Sequence, residues 1–313
     1  MNILILGGGG YVGTPLITEL LKNKKNKITV VDTFWFGNFL KKNRRLKIIK
    51  KDIRDANLNW FKGIDSIIHL ANIANDPAVD LSPNLSWDVN VIALIKIIKF
   101  AIKSKVKKFI YASSGSVYGI KREKKVTEDL DLVPISVYNK TKMIAERVLM
   151  SFKDKITINC VRPATVCGVS PRMRFDISVN LLTLQAINES QITVFGGSQI
   201  RPNIHIKDMI RLYEFFLKRK IPSGFYNAGF ENLKIINIAK MLQRKTRTKI
   251  KIIKSNDPRS YRQDSTKLIK LGFKRKYGVE DAIDELINLS KKHKIKANMS
   301  NYTVKWMKKL NIQ

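Results

Sequence analysis

Ile3-Leu4-Ile5-Leu6-Gly7-Gly8-Gly9-Gly10-Tyr11-Val12-Gly13, with the second apolar run that closes at Asp32, decides how this chain folds. Four apolar residues meeting four glycines read as a buried strand entering a tight turn. A lysine-rich helix leaves the turn, and a second strand follows it. Gly8, Gly10 and Gly13 fit the spacing G-x-G-x-x-G, while Gly7, Gly10 and Gly13 fit G-x-x-G-x-x-G, so the register stays open. Both spacings need glycine for one reason. The turn is tight, and a pyrophosphate must lie almost against the backbone at a helix N-terminus, where unpaired N–H groups point at it. Gly7, Gly10, Tyr11, Val12 and Gly13 are therefore candidate contacts to a dinucleotide. Asp32 follows Gly13 by 19 residues, near the ~20-residue spacing of a ribose-binding acid. Its carboxylate accepts hydrogen bonds from a 2′-hydroxyl and repels a 2′-phosphate, so the expected cofactor is NAD rather than NADP.

Further apolar runs recur at the intervals of βαβ units, at 3–6, 28–32, 46–49, 66–70, 107–112 and 156–161. Helical patterns at 16–22 and 94–104 lie between some of them. The runs are continuously apolar, as parallel strands are when helices cover both faces of the sheet. The expected class is α/β, a Rossmann-type doubly wound parallel sheet with a smaller C-terminal α/β substrate-binding domain. Past Arg162-Pro163 the pattern shifts to loops and short runs such as 192–195 and 250–253. The expected division is 1–165 for the nucleotide-binding domain and 166–313 for the second, with part of 204–220 packing back on the first.

At 313 residues, with 44% of positions apolar, aromatic or cysteine, the chain can bury a full core. Its longest apolar runs are about six residues, far below the ~20 that cross a bilayer, so no membrane insertion is expected. Met1-Asn2 leads directly into the first strand, and no signal peptide is expected. The two cysteines, Cys160 and Cys167, have neither a disulfide framework nor zinc spacing, which suits a cytoplasmic location. His69, His205 and His293 are isolated in the sequence, and no metal is expected. The net charge of +34 raises the question of nucleic acid. The lysines, however, are spread over 22–27, 103–108, 218–220 and 291–296, without a basic tail or an aromatic-interleaved patch. Nucleic acid is not an expected partner. A composition rich in Lys, Ile and Asn accounts for the charge, with attraction of anionic substrates or a membrane surface as the functional alternative.

The chemistry lies in the middle of the chain. Tyr138-Asn139-Lys140-Thr141-Lys142 opens a helix that continues through Ala145-Glu146-Arg147, so Tyr138 and Lys142 project from one face. A phenol with an ordinary pKa near 10 is a poor base at neutral pH. A neighbouring ammonium and a cationic nicotinamide ring both favour phenolate and are expected to lower it. Such a tyrosine takes the proton of a sugar hydroxyl as hydride leaves the carbon. Upstream, Phe109-Ile110-Tyr111-Ala112-Ser113-Ser114-Gly115-Ser116 ends a strand in small hydroxyls. Ser114 can share a proton or donate to the forming carbonyl.

In these features, and over nearly its whole length, the chain resembles the extended short-chain dehydrogenase/reductases. Among them it is most similar to the NAD-dependent epimerase/dehydratase family, which acts on nucleotide sugars. The resemblance implies that the glycine turn and Asp32 hold NAD, and that Asp52-Ile53 flank the adenine. It implies that His69-Leu70-Ala71 end a strand beside the cofactor and that Asn90 lies on the helix under the site. Ser114, Tyr138 and Lys142 match the catalytic trio, with Tyr138 and Lys142 also among the cofactor contacts. On the substrate side the resemblance implies phosphate contacts from Asn180 and Arg201, and from Arg259 and Arg262 in Asp257-Pro258-Arg259-Ser260-Tyr261-Arg262. A guanidinium fork pairs bidentately with phosphate oxygens. The implied substrate is a nucleotide-diphosphate sugar, and the implied assembly is a homodimer through residues 85–104 and 140–152.

Two departures narrow the reaction. Sugar-nucleotide 4,6-dehydratases follow the catalytic hydroxyl with an Asp-Glu pair, whereas Gly115 and Ser116 stand here and supply neither acid nor base. An epimerase needs only to oxidise C4, let the ketone turn and return hydride to its other face. An NAD-dependent C4 epimerase is therefore the expected function, with C4 dehydrogenation or keto-sugar reduction as the alternative. A non-catalytic dinucleotide-binding or nucleic-acid-binding protein is the more distant one. The second departure is Cys167, which replaces a usual aromatic and precedes Ser170-Pro171-Arg172-Met173-Arg174-Phe175-Asp176. That run sets two cations near the expected sugar pocket.

Overall fold

Strands that are apolar on both faces must lie between two layers of helices. The computed structural model, which describes residues 1–255, 260–293 and 295–312, has this arrangement. In chain order the strands are β1 (Asn2–Leu6), β2 (Lys27–Asp32), β3 (Leu46–Lys50), β4 (Ser66–His69), β5 (Lys108–Ala112) and β6 (Thr157–Pro163). They continue as β7 (Thr165–Cys167), β8 (Gln191–Phe195), β9 (Ile200–His205), β10 (Gly224–Ala228), β11 (Glu231–Lys234) and β12 (Lys249–Ile253). The helices are α1 (Gly13–Leu20), α2 (Asp76–Val79), α3 (Pro83–Trp87), α4 (Ala93–Lys103), α5 (Val137–Met150) and α6 (Ser178–Asn188). After them come α7 (Ile206–Lys218), α8 (Ile235–Thr246), α9 (Thr266–Lys270), α10 (Val279–Lys292) and α11 (Thr303–Lys309). Among the described residues no helix is long and apolar enough to cross a membrane.

Seven parallel strands form the central sheet in the order β10-β6-β5-β4-β1-β2-β3. Strand alternation divides their side chains between two cores. Leu4, Leu6, Ile67, Phe109 and Ile158 face α4 and α5, while Ile3, Ile5, Ile68, Ile110 and Val161 face α1 and α7. The chain does not divide cleanly near residue 165, since α7 and β10 return from beyond it to complete the sheet and its cover. β10 carries no apolar run in the sequence because Asn227 interrupts it. The fold buries Asn227 by satisfying it: the Tyr118 hydroxyl donates to its Oδ1, and its amide donates to the Val126 and Asp264 carbonyls. The remaining elements pack α6, α8 and α10 around β8 and β12, with a separate core at Val179, Ile192, Ile238 and Ile283.

The strand order reverses between β1 and β4. From β1 the chain runs outward through β2 and β3, and from β4 it runs the other way. Turns that diverge at the carboxyl ends of such strands leave a crevice, the usual ligand site of this architecture. Below the crevice, Arg162 on β6 grips Glu146 on α5 with two hydrogen bonds of 2.9 and 2.8 Å, both side chains being buried. The pair pins α5, which carries Tyr138, to the sheet. Removing one partner of such a pair costs about 3–5 kcal/mol.

β4 ends in His69, buried with its ring edge-on to Phe109 and Tyr111. Burial lowers its pKa from the ordinary 6.5 to about 3, with Lys142 acting in the same direction. A group with a depressed folded pKa stabilises the fold above its unfolded pKa and loses that contribution as pH falls. The wild type should therefore lose stability relative to His69→Phe as pH drops from 6.5 toward about 3, measured by urea unfolding. Parallel curves for the two proteins across that window would contradict the assignment.

Candidate functional site

The glycine turn settles its own register. Gly7 has φ of +84°, and a Cβ there would stand 2.4 Å from the Ala71 nitrogen. At Gly13 a Cβ would come within 2.7 Å of Gly8 backbone atoms. At Gly10 it would meet nothing nearer than 3.5 Å, and this residue borders the cavity. Gly7 thus makes the turn, Gly10 keeps room for a ligand, and Gly13 lets the helix approach the strand. Val12 heads α1 without a side-chain cap, which leaves the positive end of that helix to a ligand.

The turn opens into a cavity of about 430 Å³ whose walls include Gly7, Gly10, Tyr11, Val12, Asp32, Asp52, Ile53, Leu70 and Ala71. Asp32 is held rigidly, its two oxygens accepting the Gly9 and Phe34 amides at 2.8 and 2.6 Å. Burial raises its pKa, and those two amide bonds oppose the rise. Ser114 and Tyr138 border the same cavity. Ser136 caps α5 by accepting the Asn139 amide at 3.1 Å, and it donates to the Asp76 carboxylate. That cap places Tyr138 in the first helical turn, close enough to Ser114 for the serine to favour its ionised form. The Ser114 and Ser116 hydroxyls lie 2.8 Å apart.

Lys142 sits one turn along, buried behind the cavity wall. Its ammonium donates to the Ala112 carbonyl at 2.5 Å and lies 4.8 and 5.9 Å from the ring centres of Tyr111 and Tyr138. Burial lowers its pKa to about 7, against the pull of Glu146. The electrostatics expected from the sequence need correction here. Burial raises the Tyr138 pKa to about 12, with Ser114 pulling the other way. Lys142 is not among the groups that offset this rise, and burial weakens its own charge. In the protein alone, Tyr138 keeps its proton at neutral pH.

Gly13 and four other expected contacts lie outside the cavity lining. Asn90, in a π-helical turn (Asp88–Ile92), accepts the Ile73 amide at 2.9 Å and donates to the Ile73 carbonyl and the Thr141 hydroxyl. It joins the loop after β4 to α5. Asn180 is fully buried, accepting the Gly168 amide and donating to the Tyr11 hydroxyl and the Arg174 carbonyl. Arg201, half-buried on β9, and Arg262, exposed, lie outside the cavity lining. Arg262 points outward because its neighbours Tyr261 and Gln263 take the inward positions of an extended segment. Arg259 lies outside the described residues. The sequence reading missed Asp76, Phe36, Tyr261, Thr303 and Met307, all of which line the cavity with Arg172 and Arg174. Only the paired arginines left a signal in the sequence.

Residues 3–229 match the NAD dependent epimerase/dehydratase family. The chain is 28% identical to a UDP-glucose 4-epimerase of Lactobacillus helveticus, over 94% of this chain and 98% of that one. It is 33% identical to an uncharacterised UDP-glucose epimerase of Bacillus subtilis, over 67% and 71% of the two chains. Its structure resembles a UDP-glucuronic acid 4-epimerase of Bacillus cereus solved with UDP-glucuronic acid and NAD. That match has a TM-score of 0.84 and 27% identity, and covers 93% of this chain and 99% of that one. The chain belongs to the NAD-dependent epimerase/dehydratase family.

Gly115 and Ser116 stand where the resemblance implies the acid pair of a 4,6-dehydratase. A Cβ on Gly115 would stand 3.1 Å from both the Tyr261 hydroxyl and the Gln263 amide nitrogen. Those two side chains occupy the space an acidic residue would need, so the missing acid is built into the packing. Gly115→Asp should destabilise the protein by about 1–3 kcal/mol through overpacking and should yield no dehydrated product. Urea unfolding and product mass would check both; an unstrained variant that eliminates water would refute this account.

Proposed function

We propose that this protein is an NAD-dependent epimerase that inverts C4 of a nucleoside-diphosphate sugar through a transient 4-keto sugar. The observation that carries the reading is that Ser114 and Tyr138 border the same cavity as the glycine turn and Asp32, beside a Gly115 that leaves no dehydratase acid. The cavity fits a dinucleotide in three respects: a cradle that a Cβ at Gly10 would invade, a helix start without a cap, and a fixed carboxylate for a ribose. Bound NAD would supply the redox chemistry, accepting hydride from the sugar carbon and returning it. With its phenol ionised against the cationic ring of bound NAD, Tyr138 would take the proton of the C4 hydroxyl and give it back to the ketone oxygen. Ser114 favours the ionised phenol and offers a donor to the carbonyl. Lys142, anchored on Ala112, holds the first turns of α5 against the end of β5.

Uridine diphosphate is the favoured nucleotide, on the strength of relatives named as UDP-glucose epimerases. Arg174 borders the cavity with Asp176 as its partner at 2.8 Å, so the acidic sugar held by the Bacillus cereus relative belongs among the candidates. A cytoplasmic location and a homodimer through residues 85–104 and 140–152 complete the reading.

Incubation with UDP-glucose, UDP-galactose, UDP-glucuronic acid and GDP-hexoses, followed by proton NMR, should show inversion at C4 for at least one of them. No inversion across the panel would refute the proposal, and accumulation of a ketone with NADH would assign net oxidation instead. Tyr138→Phe should retain NAD and lose about a hundredfold or more in turnover. Undiminished turnover would remove Tyr138 from the mechanism.

A further inference from the structure

Arg172 is a buried guanidinium without a carboxylate partner among the described residues. It is 4% exposed and borders the cavity, and its Nε has no hydrogen-bond partner there. Its remaining contacts are weak for a cation. One nitrogen lies 3.4 Å from the Thr303 hydroxyl, and the guanidinium carbon stands 4.0 Å from the centre of the Phe36 ring. Burial and the nearby Arg174 lower its pKa to about 9, against the more distant pull of Asp176, Tyr11 and Asp32, which still leaves it charged at neutral pH. A desolvated cation in this state is costly unless a ligand pairs with it.

The position of Arg172 identifies the anion. The Ser170 hydroxyl donates to the Tyr11 carbonyl at 2.7 Å, and the Tyr11 hydroxyl donates to the Gly168 carbonyl at 2.6 Å. These bonds fasten the loop at 168–176 to the glycine turn. Arg172 thus borders the same cavity as Tyr11 and Val12, with Tyr11 and Asp32 near enough to act on its charge, so a helix terminus and a cation from the other half of the chain face one space. Asp32 borders the same space and disfavours a phosphate on the ribose.

A bridge holds this arrangement together. The Thr303 amide donates to Asp176 at 2.9 Å, and the Phe175 amide donates to the Asn301 carbonyl at 3.0 Å. The Trp306 indole donates to the Trp35 carbonyl at 2.6 Å, and Met307 is buried in the core beside Trp35 and Phe36. The segment 301–307 thus ties the loop that carries Arg172 to the loop that carries its stacking partner. Thr303 and Met307 also line the cavity.

We propose that Arg172 grips the pyrophosphate of the dinucleotide opposite the glycine turn, and that α11 locks this grip so that the cofactor stays bound between turnovers. The proposal rests on the reading of the cavity as a dinucleotide site. Retention suits an epimerase, which must return hydride from the same cofactor that took it.

The test uses the purified full chain, with calorimetric titration of NAD, NADP, ADP-ribose and UDP, and assay of the NAD that survives gel filtration. Arg172→Gln should weaken NAD and ADP-ribose about tenfold to a hundredfold, as for loss of a charge-assisted hydrogen-bonded contact, and leave UDP unchanged. Arg172→Lys should recover part of the loss. Trp306→Phe should speed NAD loss on gel filtration without changing UDP affinity. Thermal melting checks that Arg172→Gln is folded, and Arg172→Lys carries the comparison if it is not. Unchanged NAD affinity in a folded Arg172 variant overturns the proposal. So does weakening confined to UDP, which would place Arg172 on the substrate, or confined to NADP, which would place it on a 2′-phosphate. Failure of the wild type to bind NAD at all would instead remove the dinucleotide reading, a result distinct from any of these.

Discussion

Where β1 and β4 lie side by side, the backbone of Gly7 comes so close to Ala71 that no side chain fits between them. The site depends on this approach. Two adjacent parallel strands end at one level, and the chain departs from them in opposite directions. The opening left between them receives the start of α1 on one side and the ends of β4 and β5 on the other. A bulkier residue at position 7 would push β4 away and carry Leu70, Ala71 and the loop pinned by Asn90 out of place.

Burial, more than charge pairing, governs the electrostatics of the site. It raises Tyr138 to about 12, lowers Lys142 to about 7 and lowers His69 to about 3. In each case burial shifts the balance toward the neutral form, because a charge removed from water is replaced by too few dipoles. The protein contributes position and a dry setting around the phenol. Arg172 stays charged against the same penalty.

The two halves of the chain are joined through the site rather than through a linker. Tyr11, inside the glycine turn, is bonded to Gly168, Ser170 and Asn180. Asn180 thus braces the wall from outside the cavity lining. β10 and α7 return to the central sheet, and α11 closes over loops from both halves. Movement of one half therefore shifts the walls seen by any ligand of the other.

The sequence by itself determined the glycine turn, the acid at the end of β2, the strand ending in Ser114 and the helix opening at Tyr138. Each is written within a few consecutive residues, since local sterics, strand burial and helical spacing act over that range. The tertiary structure decided the direction in which residues of the right type point. Asn90 and Asn180 are amides that serve backbone groups, and Arg262 is turned outward by the alternation that turns Tyr261 inward. It also decided the ionisation of Tyr138, because desolvation depends on every element packed around the phenol. The seventh strand was hidden by Asn227, whose burial becomes affordable only when distant carbonyls and a tyrosine hydroxyl meet it. Arg172 was visible as a cation, but its lack of a partner emerged only when residues far apart in the chain enclosed it.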